Sequence, residues 1–199
     1  LVHITIHNNL TYLAEIQHNG KIRHKMDHRA CLLPGLIAQG LFSIQNIDTL
    51  QTQQRTARQE QALYLVHPPV STQRQHDLAT QLINTCVTLY AHTPTGLAPE
   101  TTQFLPNNES CAFVVDDAHF TLGSETIESL YWMYKATSNP IYQKWGWQLF
   151  VAMIRQCRTP TGFSGVRDVL HERKPLKLPN MFSKPMSMDL QPAHWMGAS

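Results

Sequence analysis

Apolar residues recur at helical spacing in several segments of the chain, and each of these segments predicts a helix. In residues 72–90 they mark one face of a helix that a Ser or Thr at position 71 or 72 can cap. The apolar positions of that face are Leu78, Leu82, Ile83, Cys86 and Leu89. Residues 125–137 and 140–158 show strong helical patterns, and the second begins with Pro140, whose missing N–H costs nothing at a first helical position.

Three other segments have weaker patterns. Residues 26–41 are close to a helical period, although Pro34-Gly35 interrupts it. Residues 55–66 form a plausible helix, and residues 92–121, rich in Pro, Gly, Asn and Thr, predict a long loop. Because strand signals are few, the chain predicts an all-α fold of helical hairpins joined by long loops, which often carry function.

The helical spacing of apolar residues disappears near residue 171. Four prolines punctuate residues 171–199, and four of the chain's seven methionines lie between Met181 and Met196. We therefore expect a domain over residues 1–170 and a disordered or loosely attached tail over residues 171–199.

Composition excludes several classes of protein. A hydrophobic content of 42% is typical of a globular chain and argues against intrinsic disorder. The net charge is only +2, and no block of Lys and Arg with interleaved aromatic residues indicates a nucleic-acid surface. No apolar run of about 18 residues predicts a transmembrane span. The chain opens with Leu1 and no signal peptide, so we expect it to be a portion of a longer protein.

The four cysteines are widely spaced, and none forms a C-x-x-C pair. They are Cys31, Cys86, Cys111 and Cys157. This spacing fits either buried thiols or one long-range disulfide. Two N-glycosylation sequons, Asn9-Leu10-Thr11 and Asn108-Glu109-Ser110, favour the secretory route.

A few acidic residues could perform chemistry. Glu125 and Glu128 begin a predicted helix, where the positive end of the helix dipole favours the ionised carboxylate, so Glu125 suits a base better than an acid. Glu100 follows a proline that stiffens the backbone, and Asp27-His28 precedes Cys31. Each residue taken alone also fits an ordinary role in a helix start or a turn. No metal-ligand spacing is recognisable.

The order of five sequence blocks along the chain favours a functional role for these residues. They resemble the class I α-1,2-mannosidases, glycoside hydrolase family 47, over about residues 1–170. The blocks are NLTYLAE (9–15), KMDHRACLLPG (25–35), TGLAPE (95–100), LGSETIESL (122–130) and YQKWGW (142–147). Five blocks in the family's order are hard to obtain by chance.

The resemblance implies part of an (αα)₇ barrel and the hydrolysis, with inversion, of α-1,2-linked mannose from high-mannose N-glycans on glycoproteins. It implies a bound Ca²⁺, an endoplasmic reticulum or Golgi lumen location and a membrane-anchored parent protein. Glu125 matches the family's water-activating Glu, and Glu100 matches another acidic active-site position. Glu128, Asp27 and His28 match positions that line the sugar site.

The resemblance also implies a disulfide between Cys31 and Cys86, which would contribute about 4 kcal/mol in the chain-entropy model. Cys111 and Cys157 have no partner in the family and are expected to be buried thiols.

The chain departs from the family in three places. Gly123-Ser124 stands where Arg-Pro usually precedes the catalytic Glu, which removes a guanidinium from the site. The blocks that carry the general acid and another catalytic Asp are missing. After Val169, the segment with the Ca²⁺-binding Thr is replaced by the Pro- and Met-rich tail, so no Ca²⁺ ligand can be named.

Two functions remain open. The chain is expected to be an incomplete, inactive fragment of a mannosyl-oligosaccharide 1,2-α-mannosidase, and the KMDH and WGW segments favour this reading. The alternative is a catalytically dead, glycan-binding relative that acts in quality control, which Gly123-Ser124 favours. A helical domain with no site would not explain the five ordered blocks.

Overall fold

The structure is a computed structural model that describes residues 2–51 and 72–172. The predicted helix at 55–66 and the tail from residue 173 onward lie outside the described residues. Within these residues, four α-helices follow a short 3₁₀ helix, His28–Leu32. They are α1 (Leu33–Gln51), α2 (Thr72–Ala91), α3 (Glu125–Thr137) and α4 (Ile141–Cys157). The patterns at 72–90, 125–137 and 140–158 therefore predicted α2, α3 and α4 to within one residue at each end.

A tight connection joins α3 to α4 in a helical hairpin. Ser138 caps the C-terminal end of α3. It has a left-handed backbone (φ 55°) and donates its N–H to the Tyr134 carbonyl (2.7 Å). The Asn139 side chain then accepts the N–H of Ile141 (3.1 Å) and satisfies one free donor at the start of α4. Pro140 therefore lies just before the helix rather than at its first position.

Helix α1 differs from the prediction. The pattern at 26–41 predicted one interrupted helix, but Lys25–Asp27 forms a strand, and α1 begins only at Leu33 and continues to Gln51. Pro34 does not break the helix because it lies in the first turn, where no backbone donor is needed. Pairing of Lys25–Asp27 with a distant strand outweighs its local pattern.

Nine short strands accompany the helices in the described residues, and two of them lie within the segment predicted as a loop. They are β1 (Val2–Ile4), β2 (Thr11–Leu13), β3 (Glu15–Ile16), β4 (Ile22–Arg23), β5 (Lys25–Asp27), β6 (Thr101–Phe104), β7 (Phe113–Asp117), β8 (Arg158–Thr159) and β9 (Gly162–Phe163). Strands β5, β6 and β7 form an antiparallel sheet in that order. The prediction of one long loop over 92–121 is therefore wrong. Strands this short give too little alternation to outweigh the Pro, Gly and Asn around them.

Helix α1 packs against α2 and α3, and α3 also packs against α4. Gly35 allows α1 to approach α3 closely, because a Cβ there would lie 2.6 Å from the Cα of Ser129. The Ser129 hydroxyl accepts the N–H of Gly35 (3.0 Å) and donates to the carbonyl of Cys31 (2.6 Å). This contact holds the start of α1 against the first turns of α3.

A disulfide joins Cys31, in the 3₁₀ helix, to Cys86 in α2, as the family resemblance implied. Cys157 is fully buried, as expected. Cys111 is only partly buried, so the expectation of a buried thiol is wrong there. Cys111 follows an exposed loop, and its thiol donates to the Phe113 carbonyl (3.0 Å) instead of packing in the core.

No helix within residues 2–51 and 72–172 is long and apolar enough to cross a bilayer. The core lies between the helices and the β5–β6–β7 sheet, where the Tyr12 and Phe104 rings stack at 4.0 Å. Burying one such large side chain contributes roughly 1.5–3 kcal/mol.

Candidate active site

Glu125 is the first residue of α3, and its side chain is 24% exposed. Ser124 occupies the cap position, but its side chain makes no capping hydrogen bond to the N–H groups of the first turn of α3. Backbone N–H groups and the helix dipole therefore favour a negative charge at this position. Oε2 of Glu125 is buried without a hydrogen bond among the described residues. Oε2 therefore keeps its lone pairs unused by any described donor.

His28 lies directly beside Glu125. Its side chain is 3% exposed, and its Nδ1 lies 3.5 Å from Oε2 of Glu125. Its Nε2 lies 2.7 Å from the hydroxyl of Tyr90, which is completely buried at the end of α2. We assign the phenol as the donor to Nε2, which places the imidazole proton on Nδ1, facing the carboxylate.

The charge state of this pair follows from burial. Burial lowers the pKa of His28 below its usual 6.5, although the carboxylates of Glu125, Glu100 and Asp27 act in the opposite direction. Burial also raises the pKa of Tyr90, which keeps its hydroxyl protonated and able to donate. At neutral pH, His28 therefore presents a neutral N–H dipole to Glu125, not a full positive charge.

Glu100 joins the site through its backbone as well as its side chain. Its carbonyl accepts the N–H of His28 (2.8 Å), and its own N–H donates to the carbonyl of His119 (2.8 Å). The Thr121 hydroxyl donates to the Glu100 carboxylate at 2.9 Å. Glu100 therefore ties His28 to the loop that leads to Glu125.

Asp27 has a different local partner. The side chain of Arg29 donates to it through two nitrogens, each at 2.8 Å, and the Arg29 backbone N–H donates at 2.9 Å. The hydrogen bond from the Arg29 side chain is the main cause of a lowered pKa at Asp27. Asp27 therefore caps the 3₁₀ helix, and the largely exposed Arg29 brings a cation to the edge of the site.

The glycine at position 123 controls how closely Glu125 and His28 approach. A Cβ on Gly123 would lie 2.5 Å from Oε2 of Glu125 and 2.8 Å from Nδ1 of His28. Leu122, just before it, has a positive φ of 64°, an uncommon conformation for a residue with a branched side chain. The loop is therefore shaped to bring the Gly123 backbone against the Glu125 carboxylate.

The structure brings together four of the five predicted site residues: Glu125, His28, Glu100 and Asp27. Glu128 lies one turn further along α3 with an exposed side chain, which makes no hydrogen bond or ion pair within the described part of the chain. Two site residues were not predicted from the sequence, Tyr90 and Thr126. The Thr126 hydroxyl lies 3.4 Å from Nε2 of His28. Tyr90 could have been found, because it lies four residues after Cys86 on the predicted inner face of α2.

A calcium ion does not fit the described residues. Within residues 2–51 and 72–172, no three His, Cys, Asp or Glu side chains are grouped to hold a metal ion. The acidic groups nearest Glu125 are already engaged, Asp27 by Arg29 and Glu100 by Thr121. No step described below uses a metal.

Comparison with known proteins identifies the family. The sequence profile of glycosyl hydrolase family 47 matches residues 1–187. The chain belongs to this family. Family 47 relatives include the human mannosyl-oligosaccharide 1,2-alpha-mannosidase IC, 34% identical over 160 residues, which are 80% of this chain and 22% of that protein. The endoplasmic reticulum mannosyl-oligosaccharide 1,2-alpha-mannosidase of Schizosaccharomyces pombe is 31% identical over 166 residues, 80% of this chain and 29% of that protein.

The family 47 fold is also found in the solved structures. The α-1,2-mannosidase from Trichoderma reesei superposes with a TM-score of 0.65 at 19% identity, covering 86% of this chain and 33% of that one. The predicted family and the partial helical barrel are therefore confirmed. The chain spans 22–29% of the length of the two relatives named above. The boundary at residue 170 stays a prediction, and the family match continues beyond it to residue 187.

Proposed function

We propose that this chain is part of the catalytic domain of a mannosyl-oligosaccharide 1,2-α-mannosidase, with Glu125 as the catalytic base. The observation that carries the proposal is the Glu125 carboxylate itself. It lies at the start of α3, without a hydrogen bond at Oε2 in the described structure and beside a buried imidazole, in a family 47 domain.

In this mechanism, Glu125 removes a proton from a water molecule, and the resulting oxygen attacks the anomeric carbon of a terminal α-1,2-linked mannose. The bond from that carbon to the leaving oxygen breaks on the opposite face, so the released sugar has the inverted β configuration. A general acid must protonate the leaving oxygen. We propose that residues outside the described part of the chain supply this acid, because Glu100 is held by the Thr121 hydroxyl.

The other site residues have positioning and binding roles in this proposal. The neutral N–H dipole of His28, 3.5 Å from Oε2, attracts the Glu125 carboxylate, while the Tyr90 hydroxyl fixes the imidazole through Nε2. Because the His28 side chain is buried, its main role in this proposal is the contact with Glu125, not a contact with a sugar. Asp27 and the exposed Glu128 would accept hydrogen bonds from sugar hydroxyls, and Arg29 would add donors at the rim.

The proposed substrate is a high-mannose N-glycan, in the lumen of the endoplasmic reticulum or the Golgi. Relatives from fission yeast and human carry "endoplasmic reticulum" in their names and are 31% and 30% identical to this chain. The Cys31–Cys86 disulfide supports an oxidising compartment. We also propose that the parent protein has a membrane anchor and that it binds Ca²⁺ through residues beyond those described.

The test uses the full-length protein and a high-mannose oligosaccharide, with NMR of the anomeric proton recorded as mannose is released. We expect β-mannose to appear first and then to mutarotate, and chelation of Ca²⁺ to stop the release. Binding of the oligosaccharide without release of mannose would support the alternative, a catalytically inactive glycan-binding relative. Release of α-mannose first would contradict Glu125 as the base of an inverting reaction.

A further inference from the structure

The loop between β6 and β7 carries the sequon Asn108-Glu109-Ser110. Residues 107–110 are all exposed. The N–H of Leu105 donates to the carbonyl of Ala112 (2.8 Å) and closes the base of the loop. The sequon therefore lies at the tip of an exposed, ordered hairpin, the kind of surface loop at which N-linked glycans are found.

The Asn108 side chain is oriented so that its nitrogen is available. Its Oδ1 accepts the backbone N–H groups of Ser110 (2.8 Å) and Cys111 (3.0 Å). No hydrogen bond engages its Nδ2 within residues 2–51 and 72–172. A sugar attached to Nδ2 would therefore leave both loop hydrogen bonds in place and project into solvent.

The loop is at the far end of the sheet from the candidate active site. Glu100 immediately precedes β6, and His119 follows β7 closely, so both lie at the other end of these two strands. A strand of four residues is about 13 Å long. The attachment point at Asn108 is therefore about one strand length away from Glu100 and His119.

The other sequon, Asn9-Leu10-Thr11, has a different environment. Asn9 is exposed, but Thr11 is 3% exposed, lies in β2 and donates to the side chain of Gln81 in α2 (3.1 Å). Leu10 is also buried. The Asn9 sequon therefore lies in packed structure, whereas the Asn108 sequon lies on a surface loop, which favours Asn108 over Asn9.

We propose that Asn108 carries an N-linked glycan. The donor is an oligosaccharide linked to a polyprenyl diphosphate. The bond from the first sugar carbon to the diphosphate oxygen breaks, a bond from that carbon to Nδ2 of Asn108 forms, Nδ2 loses one proton, and the polyprenyl diphosphate leaves. The proposal rests on the proposed secretory location and is independent of whether the site is catalytically active.

The test is expression of the full-length protein in a eukaryotic secretory pathway, followed by peptide-N-glycosidase in heavy-oxygen water and peptide mapping. We expect a heavy-oxygen aspartate in place of Asn108 and a mobility shift that the enzyme removes. Asn108→Gln and Ser110→Ala should both abolish the label, whereas the matched control Ser110→Thr, which keeps the acceptor hydroxyl, should retain it. Mannose release by Asn108→Gln should match that of the wild type.

An unlabelled Asn108 in a protein labelled at Asn9 would overturn the proposal, because such a protein has met the transferase. Complete absence of label at both sequons would overturn it as well. A labelled Asn108 in a protein that releases no mannose would uphold the glycan and count against the proposed function alone.

Discussion

Nδ1 of His28 lies 3.5 Å from Oε2 of Glu125, and the two residues come from distant parts of the chain, the 3₁₀ helix before α1 and the first position of α3. Gly123 lies against both atoms. Glu125, His28 and the loop between β7 and α3 are therefore in mutual contact. We expect a substitution in any one of them to change the positions of the other two.

Replacing Glu125 by Gln should remove most activity of the full-length protein. The amide is nearly isosteric but cannot accept the proton of the attacking water, so kcat should fall roughly 10²–10⁴-fold. Mannose release measures the effect. Glu109→Gln, in the exposed segment 107–110, is the control and should leave kcat unchanged. Equal kcat values for the two variants would refute Glu125 as the base.

Gly123→Ala should disturb the site because its Cβ would lie 2.5 Å from Oε2 of Glu125. Either the carboxylate or the loop must move, and we expect a loss of about 1–3 kcal/mol in the free energy of unfolding together with lower activity. Gly146→Ala is a matched control, since a Cβ there would meet no described atom within 4 Å in the middle of α4. Gly146→Ala should raise the free energy of unfolding by about 0.5–1 kcal/mol. Urea unfolding compares the two, and a neutral Gly123→Ala would contradict the close approach.

Stability should fall when the pH drops below 6.5. The pKa of His28 is lowered in the folded state, so below pH 6.5 the unfolded chain binds a proton that the folded chain does not. The free energy of unfolding should decrease with falling pH, by at most about 1.4 kcal/mol per pH unit, until the folded pKa is reached. His28→Asn should make the free energy of unfolding less dependent on pH. Urea unfolding measures this between pH 7.5 and the folded-state pKa of His28.

The groups that face His28 are the carboxylates of Glu125, Glu100 and Asp27 and the phenol of Tyr90. Asp27, whose pKa is lowered from 3.8, titrates below this range and does not account for the slope. A pH dependence that His28→Asn leaves unchanged would show that other groups cause it.

Removing the disulfide should destabilise the fold. Cys31 and Cys86 are 55 residues apart in sequence, and a crosslink over that separation restricts the unfolded chain by about 4 kcal/mol in the entropic model. We expect a loss of that order for the Cys31→Ser, Cys86→Ser double variant. Cys111→Ser, in a partly buried thiol, should cost less than about 1 kcal/mol. Non-reducing peptide mapping that pairs Cys31 with Cys111 or Cys157 would contradict the structure.

The 199-residue chain by itself is expected not to release mannose. A positioned general acid contributes roughly 10²–10⁴-fold, and in the described structure the Glu100 carboxylate is engaged by the Thr121 hydroxyl. Incubation of the purified chain with a high-mannose oligosaccharide and Ca²⁺ measures this. Turnover that disappears in Glu125→Gln would show instead that the site is complete in this chain.

The residue pattern alone determined most of the helical structure. The apolar face at 72–90 and the segments at 125–137 and 140–158 predicted α2, α3 and α4, because helical hydrogen bonds and side-chain faces repeat over a few neighbouring residues. The placement of Glu125 at a helix start came from the same local pattern. The family resemblance, not the pattern, supplied the Cys31–Cys86 pair and the grouping of Glu100 with Asp27 and His28.

Tertiary structure alone decided the strands and the environment of the site. Strand β5 forms where a helix was predicted because Lys25–Asp27 pairs with Thr101–Phe104, a partner that its own sequence does not encode. Likewise, the contact of Tyr90 with His28 joins the end of α2 to the 3₁₀ helix. The lowered pKa of His28 and the space that Gly123 leaves for Glu125 depend on burial and close approach. These arise only when distant segments pack together, so no local pattern could specify them.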